Sequence, residues 1–213
     1  MQRLRLKFSR GEEVKFLSHL DLTRLWERAL RRASLPLECS KGFTPHPQIS
    51  MAAPLPVGIT SQTELMDVSL SRWVSPHSFI ARVKEQLPPS INLLEAWTVG
   101  LNIPSLQSQV RFAEYKVEVE TEKDEQEIEL ALRSLLSAKE LPWHHFRDTG
   151  VRYYDLRALV DGIWLIDCSD SLRVLGMRLR CDASGAGRPE QVTKALGFLQ
   201  RPKSIHRTKL ILS

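Results

Sequence analysis

Residues 40–50 read Ser40-Lys41-Gly42-Phe43-Thr44-Pro45-His46-Pro47-Gln48-Ile49-Ser50, and Pro54, Pro56 and Gly58 follow closely. His46 is bracketed by prolines, whose fixed φ removes conformational entropy from a loop. An imidazole changes charge near neutral pH, so it can move a proton or meet an anion. Ser40, Lys41, Thr44, Gln48 and Ser50 add donors and acceptors to the same stiff frame. Gly42 and Gly58 sit where a positive φ or a close backbone approach would be needed. Rigid polar loops are common recognition surfaces. The bland alternative is a proline-rich crossing of the sheet end, with His46 capping a carbonyl. Ser40, Lys41, Gly42, Phe43, His46 and Ser50 are the binding candidates, with His46 a weak catalytic one.

Glu64 and Asp67 complete this segment. Three apart on a strand, they face opposite sides unless a bulge intervenes, which disfavours a shared general acid/base pair. Either could still orient His46 or Lys41. A second group opens the first helix. Ser18 reads as its N-cap with Asp21 three residues on, and His19 lies at a terminus able to hold a phosphate. Arg24, Arg28, Arg31 and Arg32 share one side and could align on phosphates. The same pattern also describes a solvated face with a Glu27–Arg31 pair.

Alternation and turn residues then place the supporting elements. Leu4, Leu6 and Phe8 make a half-buried strand whose outer face is cationic. A helix follows Ser18, with Leu22, Leu25, Trp26, Ala29 and Ala33 inward. Strands are expected over 37–40, 49–53, 64–70 and 91–99, with a helix from Ser75-Pro76 to about Leu87. The order repeats after a linker at 102–110, with strands at 112–120, 143–146 and 151–160. A helix over 124–138, a hairpin of 164–168 and 172–181 across Ser169-Asp170-Ser171, a helix from Arg188-Pro189 and a strand at 205–212 complete it. The expected fold is α+β: two ferredoxin-like β-α-β-β-α-β halves with antiparallel sheets, over 1–101 and 111–213, the second with an extra hairpin or rearranged.

The chain has 213 residues, a formal net charge of +5 and 42% hydrophobic residues, enough for a full core. Ten Lys/Arg against five Asp/Glu in residues 1–50, and nine against two in 171–213, flank an acidic stretch at 112–140. Basic ends that meet would favour a polyanion such as RNA. Apolar runs are too short for a membrane span, and the charged N-terminus lacks a signal's apolar core, so a cytoplasmic location is expected. Cys39, Cys168 and Cys181 are scattered and form no CxxC pair, so neither metal nor cofactor is expected. His144-His145 would face opposite ways, and Asp155 and Arg157 read as a structural ion pair. Dinucleotide, phosphate-loop, zinc-protease and nucleophile-elbow motifs are missing.

Phe16-Leu17-Ser18-His19-Leu20-Asp21, Glu27-Arg28-Ala29-Leu30-Arg31-Arg32-Ala33, the 40–47 segment, Pro54-Leu55-Pro56-Val57-Gly58 and residues 64–67 resemble the radical-SAM-linked domain of unknown function. Asp155-Leu156-Arg157 and the Arg188-Pro189 helix extend the resemblance more weakly. It implies a non-catalytic accessory or substrate-presenting module for a radical SAM protein, with RNA as the substrate. The CxxxCxxC triplet that such chemistry requires is missing here. The rival readings are an enzyme using His46 as general acid/base, with Lys41 and Glu64 near it, on RNA or a nucleotide, and a purely protein-binding scaffold.

Overall fold

A computed structural model describes residues 1–147, 150–169 and 171–213. Asp170, in the expected hairpin turn, lies outside them. The chain divides into two compact units, Met1–Val110 with Ser213, and Arg111–Leu212. Both are mixed α and β, and their named pairings are antiparallel.

The first unit runs β1 (Gln2–Arg10), α1 (His19–Arg32), β2 (Ile49–Met51), β3 (Thr60–Leu70), α2 (Pro76–Lys84), β4 (Ile91–Val99) and a one-turn α3 (Leu106–Gln109). The last falls inside the stretch read as a linker. The strand order is β4-β1-β3-β2. Leu4, Leu6 and Phe8 of β1 meet Leu22, Trp26 and Leu30 of α1 and Phe79 and Val83 of α2 in one apolar cluster. These residues recur at period two on the strand and three to four on the helix, so each element turns one apolar surface to the other. Ser18 caps α1 as expected: its Oγ accepts from Asp21 N at 3.2 Å and donates to Asp21 Oδ2 at 2.6 Å.

The other face of β1 differs from expectation. Arg5 is buried rather than solvent-facing. It pairs with Asp67 through two bonds, Nε to Oδ1 at 2.7 Å and a terminal nitrogen to Oδ2 at 3.0 Å. Its other terminal nitrogen reaches Gln109 Oε1 at 3.2 Å. Arg3 donates to the carbonyls of Gly100 and Ile103. Residues 100–109 lie over this face, which single-strand alternation cannot reveal.

The second unit contains β5 (Val110–Glu120), α4 (Glu125–Ser137), β6 (Pro142–Arg147), β7 (Gly150–Asp155), β8 (Val160–Ser169), β9 (Leu172–Asp182), β10 (Gly185–Ala186), α5 (Pro189–Ala195) and β11 (Ser204–Leu212). β9 pairs with β5, β8 and β10, while β6 and β7 form a separate two-stranded sheet. The strand expected over 151–160 is two elements, broken by a helical turn at Arg157–Leu159. Asp155 and Arg157 form no side-chain ion pair. Asp155 Oδ1 accepts from the backbone N–H groups of Leu141 and Arg157, while the guanidinium serves the carbonyls of Leu136 and Val160.

α4 carries a full capping box: Asp124 Oδ1 accepts from Glu127 N at 2.8 Å, and Asp124 N donates to Glu127 Oε2 at 2.9 Å. Asp124→Ala should therefore cost about 1 kcal/mol. A fall in the urea midpoint at constant slope checks it.

Candidate nucleic-acid interface

The 40–48 segment is a projecting hairpin. Ser40 N donates to His46 O at 2.8 Å, and His46 N donates to Ser40 Oγ at 3.1 Å. Cys39 and Pro47 form an antiparallel bridge below them. The root lies against the C-terminal end of β3, where Glu38 N donates to Ser69 O and Ser69 N to Gln48 O. The strand expected at 37–40 thus contributes only isolated bridges, Leu37 to Leu70 and Cys39 to Pro47.

Lys41, Gly42, Phe43, Thr44, Pro45 and His46 form an exposed tip. Gly42 has φ 153° and Gly58 φ 87°, so both positions take backbone conformations that favour glycine. The Phe43 ring is fully exposed.

The same end of β3 carries residues that sequence reading missed. Ser71 N and Oγ both bond Pro36 O, at 2.8 and 3.2 Å. Arg72 and Trp73 follow directly, and Trp73 is 71% exposed. The only signal for them was a cation beside an aromatic in a polar turn after a strand. The C-terminal turn of α1 ends here too, since residues 33–37 lead from α1 to the bridge with Leu70. Arg31 is exposed, and Arg28 bonds only the carbonyl of Arg24. Among the described residues, the side chains of Lys41, Arg31 and Arg72 have no hydrogen bond or ion pair. Arg32 is tied to the carbonyl of Gln86.

The other sequence candidates do not join this cluster. His19 starts α1 at the opposite end of the unit, where Gly58 N donates to Lys15 O just before β3 begins. The eleven residues of β3 separate that end from the hairpin root by roughly 30 Å. Arg24 stays near its own N-terminus, 3.7 Å from Asp21. Glu64 pairs with Phe8 in the β1–β3 register and is buried. Five residues from Ser69, it is about 15–20 Å from the hairpin root. The expected His46–Lys41–Glu64 constellation is therefore not assembled. Asp67 is held by Arg5, with Arg3 Nε 3.9 Å away. Ser50 accepts from Gln107 Nε2 beside a cavity of about 200 Å³ that Asp67 also lines.

Charge segregation along the sequence is partly cancelled inside the second unit. Arg178 meets Glu114 at 2.8 Å and Asp161 at 3.5 Å, and Lys203 meets Glu120 at 3.1 Å. Glu114 and Asp161 hold the Arg178 guanidinium above its usual range, chiefly through the hydrogen bond to Glu114. The acidic stretch thus neutralises part of the basic C-terminal charge, whereas the cations at the hairpin end of the first unit keep theirs.

Residues 3–189 match the model of a family described as an uncharacterised protein conserved in bacteria (DUF2344). The chain belongs to this family. No curated protein matches it. Among solved structures, a chain in the crystal structure of a Cbf5-Nop10-Gar1 complex is 10% identical, with a TM-score of 0.52 over 98% of this chain and 48% of that one. A chain of the structure of an H/ACA RNP bound to a substrate RNA containing 2'-deoxyuridine is 12% identical, with a TM-score of 0.47 over 98% and 47%. The family member described here spans about half the length of those chains. At such identity the first likeness shows a shared fold and nothing of activity. No helix among the described residues is long and apolar enough to cross a membrane.

Proposed function

We propose that the chain is a binding module that holds single-stranded RNA at the hairpin end of its first unit, acting as an accessory to a radical SAM protein. The observation that carries the RNA reading is the fully exposed Phe43, flanked by Lys41 and His46, on a hairpin rooted where Arg72 and exposed Trp73 also leave β3. Exposed rings among cations bind single strands because every base offers a face to stack on and every phosphate a charge to meet. The radical SAM role rests on the resemblance of residues 16–67 and, more weakly, of Asp155-Leu156-Arg157 and the Arg188-Pro189 helix. The ferredoxin-like reading of the first unit is supported by its β-α-β-β-α-β order with strands ranked β4-β1-β3-β2.

Fluorescence anisotropy with a labelled single-stranded RNA tests this at two salt concentrations. Affinity should fall with salt, with a log–log slope of about −0.7 per phosphate neutralised. Phe43→Ala and Trp73→Ala should each cost about 1–3 kcal/mol of binding, and Lys41→Gln should flatten the slope. Salt-insensitive binding, or binding unmoved by both aromatic variants, would sink the RNA reading. Recovery of a radical SAM protein from native cells, lost in Phe43→Ala and free of nucleic acid, would assign the hairpin to protein docking.

A further inference from the structure

The second unit contains a cavity of about 450 Å³ that none of the sequence candidates touches. Its walls come from the β6–β7 sheet, the turn joining β9 to β10, and the start of α5. Three arginines line it: Arg152 on β7, Arg180 on β9 and Arg188 ahead of α5. Among the described residues, the side chains of Arg152 and Arg188 have no hydrogen bond or ion pair. The Arg180 guanidinium pairs with Asp182 at 3.3 Å, lies 3.4 Å from Ser184 Oγ and sits over the Phe112 ring, 6.0 Å from its centroid. Bonds from Ser184 hold the Asp182 carboxyl below the usual carboxylate range, so it stays an anion that an incoming ligand must displace or share.

The single carboxylate on the lining, Asp155, spends Oδ1 on the backbone N–H groups of Leu141 and Arg157. Three guanidiniums therefore face two engaged acids, Asp155 on the lining and Asp182 beside Arg180. Like charges gathered around a void repel one another, and an anion placed among them relieves that cost. The lining also carries apolar side chains, Ala158, Leu159 and Ala186. Tyr154 Oη donates to Gln191 Oε1 at 2.6 Å, which ties β7 to α5 and fixes the cavity's width.

We propose that this cavity binds a phosphate monoester of nucleotide size, with the phosphate on Arg152, Arg180 and Arg188 and the sugar and base along the Leu159 side. A phosphate dianion offers three acceptor oxygens, and planar guanidiniums bind them through paired N–H bonds, which suits three arginines better than one carboxylate would. The volume falls within the range of small-molecule sites. The ligand is either a free nucleotide or the 5'-phosphorylated end of an oligonucleotide. This site does not depend on the hairpin reading.

Calorimetric titration of the full chain with AMP, adenosine, inorganic phosphate, and a 5'-phosphorylated or 5'-hydroxyl six-nucleotide RNA tests it. AMP should bind at least about ten-fold tighter than adenosine, and Arg152→Gln with Arg188→Gln should weaken AMP at least about ten-fold. Phe43→Ala should leave AMP affinity unchanged, which separates this site from the hairpin. A 5'-phosphorylated RNA that outcompetes both AMP and its 5'-hydroxyl twin in the Phe43→Ala background identifies the oligonucleotide end as the source. Equal competition by the two RNAs, with AMP retained, identifies the free nucleotide. Inorganic phosphate binding as tightly as AMP would overturn the nucleotide assignment. The site is refuted if AMP gives no heat at millimolar concentration, or if the double arginine variant, with an unchanged urea midpoint, binds AMP as the parent does.

Discussion

Asp67→Ala is expected to destabilise the first unit by about 3–5 kcal/mol. Asp67 and Arg5 are each about one-twentieth exposed, and both carboxylate oxygens accept from the guanidinium. Removing the acid leaves Arg5 charged in a poorly hydrated place, with Gln109 Oε1 as its remaining acceptor. The uncompensated charge outweighs the lost bonds, because a surface pair of the same length would contribute only about 0–1 kcal/mol. A urea titration measures the effect. Replacing both partners, Arg5→Met with Asp67→Leu, should recover most of the loss, since the desolvation cost disappears together with the attraction. A loss below about 1 kcal/mol for Asp67→Ala would mean that water reaches the pair. Asp67 lay in the segment singled out for recognition, yet these contacts give it a structural task.

Trp26→Ala should cost a comparable amount, about 3–5 kcal/mol, through the cavity it leaves. The indole is fully buried and meets Phe8 edge-on, with centroids 4.8 Å apart at 64°. It is also the contact where α1 closes on β1. Among the described residues its Nε1 meets no acceptor. A buried donor without a partner carries a penalty of about 1–3 kcal/mol, which Trp26→Phe would remove while losing some packing. The two terms oppose each other, so Trp26→Phe should stay within about 1 kcal/mol of the parent. Thermal melts of both variants separate volume from polarity: equal losses would show that the indole N–H is satisfied.

Much of this architecture was legible because local chemistry dictated it. Ser18 and Ser75 each announced a helix, and each caps one; Asp124, read as the first residue of its helix, is instead the cap before it. β4 fills the 91–99 stretch expected from its sequence. The division of 151–160 was not legible, because the turn at Arg157–Leu159 contains neither glycine nor proline and is held by Asp155 and Arg157 bonding to backbone. Burial of Arg5 was hidden because period two names two faces but cannot say whether a later segment covers the second. A stiff exposed loop was legible from its prolines and glycine, but not its closure into a hairpin through the Cys39–Pro47 bridge. Its neighbours were not: Arg72 and Trp73 are about thirty residues away in the chain, and only the Ser71–Pro36 bonds place them at the same end of β3. His19 erred the other way, close in sequence but at the far end of the strand.

The neck of the hairpin has a chemical consequence. Cys39 is a free thiol whose bridge partner is Pro47. Directly opposed antiparallel residues have Cα atoms about 4.5–5.5 Å apart, inside the roughly 4.4–6.8 Å that a disulfide spans. A thiol introduced at position 47 would turn the tip into a small ring that oxidation closes and reductant opens. The neck of this loop thus already carries one half of a redox lock, and the position opposite it can supply the other.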